Sequence, residues 1–346
     1  MLSSRRVRHD VVSASLAARD DEQLAALVDA AATRGVGAGV GVGGGASVLD
    51  VDGMPVFAKR IPITERELAH PLSTADLFDL PLFCRYGLHR VAVPGVSAWR
   101  ELAANQTVTE AVLEGASESF AMLHHWRVLP GRAPVAPEHQ DIDAVVAPLG
   151  GDVSVRTRLE EMARATSSLV LFLEHVPNPL LDRLDTTEEG IEKVEQQLFA
   201  VVDALRHRQL LHLDGHFANL RADDDRIYLV DFGLATSPRF TLSDAERDLV
   251  ERHLDHDSDY AAMRLVNWLV TTACGIPTPT TGVPTERNTY VRRCAEGHIP
   301  EGVSPATAGI LARHAPAAAR MNDFHWRLVD GDIHAQYPGR PHRPPG

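Results

Sequence analysis

Asp214, Asn219 and Asp231 are the residues of this chain whose types and spacing could do chemistry together. Asp214 and Asn219 lie five positions apart in a segment expected to loop between a helix and a strand, and Asp231 closes the apolar run Ile227-Tyr228-Leu229-Val230. Such an arrangement can bring three oxygen-bearing side chains to one edge of a loop and a strand. Phosphoryl transfer needs a carboxylate beside the acceptor hydroxyl, further oxygen ligands for Mg²⁺, a cation on the phosphates and backbone amides over them. The N-terminal half offers the last two. Lys59 ends the strand-like Val56-Phe57-Ala58-Lys59, and from Gly35 to Gly45 seven of eleven residues are glycine.

The elements that must position these residues can be read from periodicity and turn residues. Asp20 to Ala31 has acids in its first turn and apolar residues at helical spacing. Ala46–Val51 and Met54–Ile61 read as two strands joined by Asp52-Gly53. Residues 62 to 96 are mixed and proline-punctuated, an insertion with a short helix expected around Thr74 to Asp79. Ser97 can cap a helix reaching about Leu113, where Gly115 stops it. Met122–Leu129 reads as a strand, the proline-rich stretch 130 to 138 leads into helix up to about Ala165, and Ser168–Leu173 reads as a buried strand. Beyond Pro177 the chain turns mostly helical. Thr186 with Glu189 suggests a capping box, and Ile191, Val194, Leu198, Val201, Val202 and Leu205 then line one face. Further helices are expected at about 244–253, 259–273 and 305–319. No internal repeat is visible. The Pro- and Gly-rich tail from Tyr337 is expected to be disordered, and the short basic run Arg5-Arg6-Val7-Arg8-His9 to be a solvated extension.

His212-x-Asp214-x-x-x-x-Asn219 followed by Asp231-Phe232-Gly233 resembles the catalytic and metal-binding loops of the protein-kinase-like superfamily. The resemblance covers about residues 35 to 275. It implies an α+β, bilobal fold: an N-terminal extension at 1–33, an N-lobe of antiparallel sheet with a helix at 34–176 carrying insertions at about 62–96 and 130–165, a mostly helical C-lobe at 177–330, and a tail at 331–346. It implies ATP and Mg²⁺ as cofactors, with Asp214 orienting or deprotonating the acceptor, Asn219 and Asp231 holding Mg²⁺, and His212 bracing the loop. Lys59 would meet the α- and β-phosphates under a loop in which Gly39-x-Gly41-x-x-Gly44, with Gly43, fits one register. A helix glutamate should pair with Lys59: Glu101 is the first choice, with Glu65, Glu67 and Glu110 open. Leu173 would take the gatekeeper position, and the backbone of Glu174 and Val176 would bond adenine. Asp257 or Asp259 would bond the backbone of the catalytic loop.

Two departures bear on the acceptor. His216 gives Asp-x-His-x-x-Asn, closer to the aminoglycoside and choline kinase branch, and no Ala-Pro-Glu follows Asp-Phe-Gly-Leu-Ala, although Thr236, Ser237 and Thr241 lie there. The resemblance thus leaves open Ser/Thr of a protein or precursor peptide, which Asp-Phe-Gly-Leu-Ala favours, and a small hydroxylated metabolite or antibiotic. An ATP-binding scaffold without turnover, and transfer of AMP, are the other readings.

A net charge of −13 and a pI near 5.7 argue against a general nucleic-acid or anionic-membrane binder. Cys84, Cys274 and Cys294 have no pairing or zinc spacing, and no apolar run reaches membrane-span length, so a cytoplasmic protein is expected. Adjacent His124 and His125 would point to opposite faces of a strand, and His253-x-x-His256-Asp257 lacks a completing ligand, so packing roles are expected for both. Trp99, Trp126, Trp268 and Trp326 are expected in the core. Oligomeric state leaves no trace in the sequence.

Overall fold

The computed structural model describes residues 2–34, 45–87, 93–279 and 282–339. Along the chain run α1 (Leu2–Ala17), α2 (Asp21–Arg34), β1 (Ala46–Val51), β2 (Met54–Ile63), α3 (Glu65–Leu68), α4 (Ala98–Leu113), β3 (Leu123–Pro130), α5 (Ile142–Val146), α6 (Val153–Arg164) and β4 (Ser167–Glu174). Then follow β5 (Asn178–Pro179), α7 (Glu188–His207), β6 (Leu220–Ala222), β7 (Ile227–Leu229), α8 (Asp244–Arg252), α9 (His256–Thr272), α10 (Thr285–Ala295) and α11 (Pro305–Val329). The fold is mixed, with a four-stranded antiparallel sheet ordered β1-β2-β4-β3 and a small sheet β5-β6-β7.

Side-chain alternation along β2 and β4 gives the larger sheet two apolar faces. Val56, Ala58, Val170 and Phe172 meet Val12, Leu16, Leu24 and Val28 of the α1–α2 pair. On the other face Ile63, Leu169, Leu171 and Leu173 meet Trp99 and Leu102 of α4. Lys59 pairs in register with Leu171, so it shares the α4 face. In the helical part, the predicted stripe Ile191, Val194, Leu198, Val201 and Leu205 packs with Phe217, Leu220 and Phe232, the residues that flank the polar loop.

Several expectations are corrected. The basic N-terminal run is not a free extension. It is part of α1, and Arg5 is buried, forked onto Glu174 (Nε–Oε1 3.0 Å, Nη2–Oε2 2.6 Å) while donating to the carbonyls of Glu118 and Phe120, each at 2.8 Å. No helix forms at 74–79. Asp76 instead accepts the backbone N–H groups of Phe78 and Leu80 and the Arg85 guanidinium, taking donors a helix would have used. Thr187, not Thr186, caps α7, its hydroxyl accepting from Gly190 N–H. The structure adds α10 to the helices expected from the sequence, and α11 runs past Pro316 to Val329 because Ala318, Met321, Phe324 and Leu328 continue its buried stripe. Tyr337 does not begin a free tail: it is buried, and its hydroxyl donates to Asp259 at 2.8 Å.

α4 is fixed at its start by one carboxylate. Glu67, fully buried, accepts from the backbone of Thr64 (3.0 Å) and Ala98 (2.8 Å), the Thr64 hydroxyl (2.9 Å) and Arg158 (2.8 Å), while Trp99 donates to its carbonyl. Burial pushes its pKa up, but Arg158 and the backbone donors hold it below the usual glutamate range. Arg158→Ala would leave that charge without its cation, a change that costs about 3–5 kcal/mol when a buried pair is broken. Urea denaturation should register a loss of that size; a loss under about 1 kcal/mol would refute the role given to the pair.

Candidate functional site

The residues from His212 to Asn219 form a loop whose backbone is held from below by α9. Asp257 accepts His212 N–H at 2.7 Å and Leu213 N–H at 3.0 Å, whereas Asp259 turns to Tyr337 and Arg320. Asp257 is therefore the helix aspartate that bonds this loop. His212 Nε2 donates to Val230 O at 3.2 Å, its Nδ1 accepts Asp214 N–H at 3.3 Å, and its ring stands edge-on to Phe232, 5.0 Å between centroids. Burial lowers the His212 pKa, in keeping with a neutral ring that donates on one side and accepts on the other. His212 thus ties the loop to the end of β7.

Leu213 and Asp231 sit at φ 62° and 65°, conformations that side-chain-bearing residues other than Asn and Asp rarely adopt. Backbone strain of this kind persists where surrounding structure imposes it and concentrates at sites of function. In Asp231 it accompanies a turn that aims the carboxylate at Lys59.

Lys59 Nζ lies 2.6 Å from Glu101 Oε1 and 2.8 Å from Asp231 Oδ1. Burial alone would lower its pKa, but the two carboxylates outweigh it and raise it, so the ammonium is firmly charged. Asp231 is driven up by burial and down, more strongly, by Lys59 and by the N–H of Gly233. Glu101 is the helix glutamate that meets the lysine. Glu65 and Glu67 belong to the α3 turn, and neither Glu67 nor Glu110 pairs with Lys59. The neighbour of Glu101 on α4, Arg100, reaches across to Glu246 on α8 at 2.7 Å, where Arg85 also binds at 2.9 Å, and the two arginines hold Glu246 down to about 2 against its burial.

Asp214 faces this triad in the opposite protonation balance. Burial and then the Asp231 charge push its carboxyl up to about 7, with the Asn219 amide acting against them. Asn219 Nδ2 donates to Asp214 O at 3.0 Å and Oδ2 at 3.1 Å. Asp214 Oδ1 is buried without a hydrogen-bond partner among the described residues; His216 Nε2 is 3.6 Å away. A Cβ built on Gly87 would fall 1.8 Å from that oxygen, so the first insertion packs its backbone on Asp214. A Cβ on Gly95, in the same segment, would lie 3.1 Å from the carbonyl oxygen of Gly233, a looser approach.

A cavity of about 580 Å³ is lined by Lys59, Glu101, Asp214, His216, Asp231 and Leu234 together with Gly87, Val93 and Gly95 of the first insertion and Pro134 to His139 and Asp141 of the second. Both insertions therefore wall the site. Leu173, Glu174 and Val176 are at the end of β4 and just after it, outside that lining. Glu174 N–H already bonds Met122 O, its carboxylate holds Arg5, and Val176 O accepts from Arg221. Gly39, Gly41, Gly43 and Gly44 lie outside the described residues. Thr236 and Ser237 are buried beside a bridge between Leu211 and Thr236.

Among the described residues no group of three or more His, Cys, Asp or Glu side chains could hold a metal, and no helix is long and apolar enough to cross a membrane. Sequence comparison matches the chain to no family model and to no curated protein. A compositional signal for the site had been available: of 34 cationic side chains only Lys59 and Lys193 are lysines. Lys193 is exposed on α7, so one of two lysines was kept for a buried position.

Because the folded state favours neutral Asp214, it holds a proton that the unfolded chain releases in the ordinary aspartate range. Wild-type stability should therefore fall relative to Asp214→Asn as pH rises from about 4 to about 7, by up to about 1.4 kcal/mol per unit, and then level off. Denaturation curves of both proteins across that range check this, and a pH-independent gap contradicts the raised carboxyl. A second test uses Gly87→Ala. It should cost about 1–3 kcal/mol through overpacking, and distinctly less when Asp214 is also alanine. Equal losses in the two backgrounds would mean that the insertion does not press on Asp214.

Proposed function

We propose that the chain is an ATP- and Mg²⁺-dependent phosphotransferase with a bilobal kinase-like fold, acting on a Ser or Thr hydroxyl of a protein or precursor peptide. The observation that carries this reading is the placement of Lys59 between Glu101 and Asp231, with Asp214 in the same cavity on a loop whose Asn219 bonds it. A charged lysine held by a helix carboxylate is suited to α- and β-phosphate oxygens. Asp231 and the Asn219 amide oxygen suit Mg²⁺, which keeps waters and takes few protein ligands besides phosphate. When bound, the cation would neutralise charge on the transferring phosphoryl group.

The acceptor hydroxyl would lose its proton to Asp214 Oδ1 as its oxygen bonds to the γ-phosphorus and the bond to the ADP oxygen breaks. An aspartyl pKa near 7 suits that role, since a base works best with a pKa close to the working pH. His216, next to the same oxygen, would orient it. Two walls built from insertions and a short, buried stretch after Gly233 leave the acceptor to be recognised by the insertions and the helical part.

Purified protein incubated with Mg²⁺ and ATP labelled separately at the α- and γ-phosphate, with Ser/Thr peptides and small alcohols as acceptors, tests the proposal. Label from γ alone should reach a peptide, and Lys59→Ala, Asp214→Ala and Asp231→Ala should each reduce the rate by roughly a hundredfold or more. Transfer of α-label would point to AMP transfer. ATP-dependent thermal stabilisation without any transfer would make the protein a binding scaffold.

A further inference from the structure

On the α9 side of the Asp214 loop lies a pair of cations that make no ion pair among the described residues. Tyr260 and Arg264 are one turn apart on α9, and Arg264 Cζ stands 5.6 Å from the ring centroid of Phe217, three residues after Asp214. The charge of Arg264 reaches both Asp214 and Tyr260. It also reaches Arg287 on α10, whose pKa burial and then Arg264 lower to about 10. Nothing opposes that depression, because no acidic group contributes to it.

Five arginines are buried among the described residues. Arg5 pairs with Glu174, Arg85 with Asp76 and Glu246, Arg100 with Glu246, and Arg158 with Glu67. Arg287, 9% exposed, is the exception: its Nη1 makes a 3.3 Å bond to the Thr278 hydroxyl, and its Nε is buried without a partner. Arg264 has no ion pair among the described residues either and stands over the Phe217 ring. The hydroxyl of Tyr260, 3% exposed, is likewise unpartnered. Burying a guanidinium without a counter-ion is costly, and setting a second one beside it adds repulsion. A chain of net charge −13 has carboxylates to spare, yet among the described residues none pairs with either arginine, and the nearby Asp214 is a carboxyl that burial pushes toward its neutral form. An anion supplied from outside would offset the charge of the two guanidinium groups, and guanidinium forks are matched to carboxylate geometry.

We propose that Arg264 and Arg287 form an acceptor subsite for the carboxylate of a Glu or Asp side chain next to the Ser or Thr that Asp214 serves, so that the substrate is an acidic peptide. This rests on the peptide-kinase reading for its location beside the acceptor base, but its binding test does not need turnover.

Fluorescently labelled peptides differing only as Ser-Glu-Glu and Ser-Gln-Gln should be titrated onto the full chain and followed by anisotropy. The acidic peptide should bind at least about tenfold more tightly, with a preference that shrinks as salt is raised. Arg264→Gln and Arg287→Gln should each abolish the preference, and Arg287→Lys should restore part of it. Thermal melts report whether each variant is folded; should Arg287→Gln unfold, the more exposed Arg264→Gln decides. Equal affinity for the two peptides, no binding of either, or a preference surviving Arg264→Gln overturns the subsite. A preserved preference without γ-phosphate transfer would instead sink the kinase reading and leave the anion site standing.

Discussion

The ammonium of Lys59 between two carboxylates is the interaction on which the rest of the arrangement depends. It joins three elements of different origin: β2 in the sheet, α4 behind it, and the left-handed residue that follows β7. A buried lysine is tolerable only while its partners stay in place, since removing one leaves an uncompensated charge. Each partner is accordingly anchored elsewhere. Glu101 is held through the start of α4 by Glu67 and Arg158, and through Arg100 by Glu246. Asp231 follows Val230, whose carbonyl is bonded by His212, whose own backbone is bonded by Asp257. Sheet and helical part are thereby coupled at the point where the site lies.

Asp214 and Asp231 occupy one cavity but are set to different tasks by their surroundings. Asp231 has the ammonium and stays ionised, whereas Asp214 has burial, a neighbouring negative charge and a covering backbone at Gly87, and keeps its proton to near neutral pH. Pairs of carboxyls whose environments push their pKa values apart commonly divide the work of an acid or base and a charge holder. On the proposed reading, Asp214 Oδ1 would take the proton of the acceptor hydroxyl, and Arg264 and Arg287, which make no ion pair among the described residues, would take a substrate anion.

Much of this was legible in the sequence because it was local. The hairpin around Asp52-Gly53, the stripe of α7 and the loop from His212 to Asn219 are encoded by residues close to one another, and Ser97 marked the start of α4. What escaped notice was decided over long distances. Arg5 reads as a solvated cation until Glu174, 169 positions away, closes on it, and Tyr337 reads as tail until Asp259 receives its hydroxyl. The stretch 74–79 misled because an aspartate in a helical pattern can spend its oxygens on its own backbone, as Asp76 does. Gly87 gave no signal at all: its meaning lies in the atom it faces, not in its neighbours along the chain.

On the proposed reading Lys59 meets nucleotide phosphates, and the scarcity of lysine makes this directly measurable. An ATP analogue carrying an acyl group on its terminal phosphate transfers that group to a lysine beside the phosphates, and peptide mass spectrometry locates it on Lys59 or Lys193. The account predicts acylation of Lys59 that excess ATP suppresses, with Lys193 reacting weakly and regardless of ATP. Failure to acylate Lys59, or acylation of Lys59 that ATP does not diminish, would contradict it.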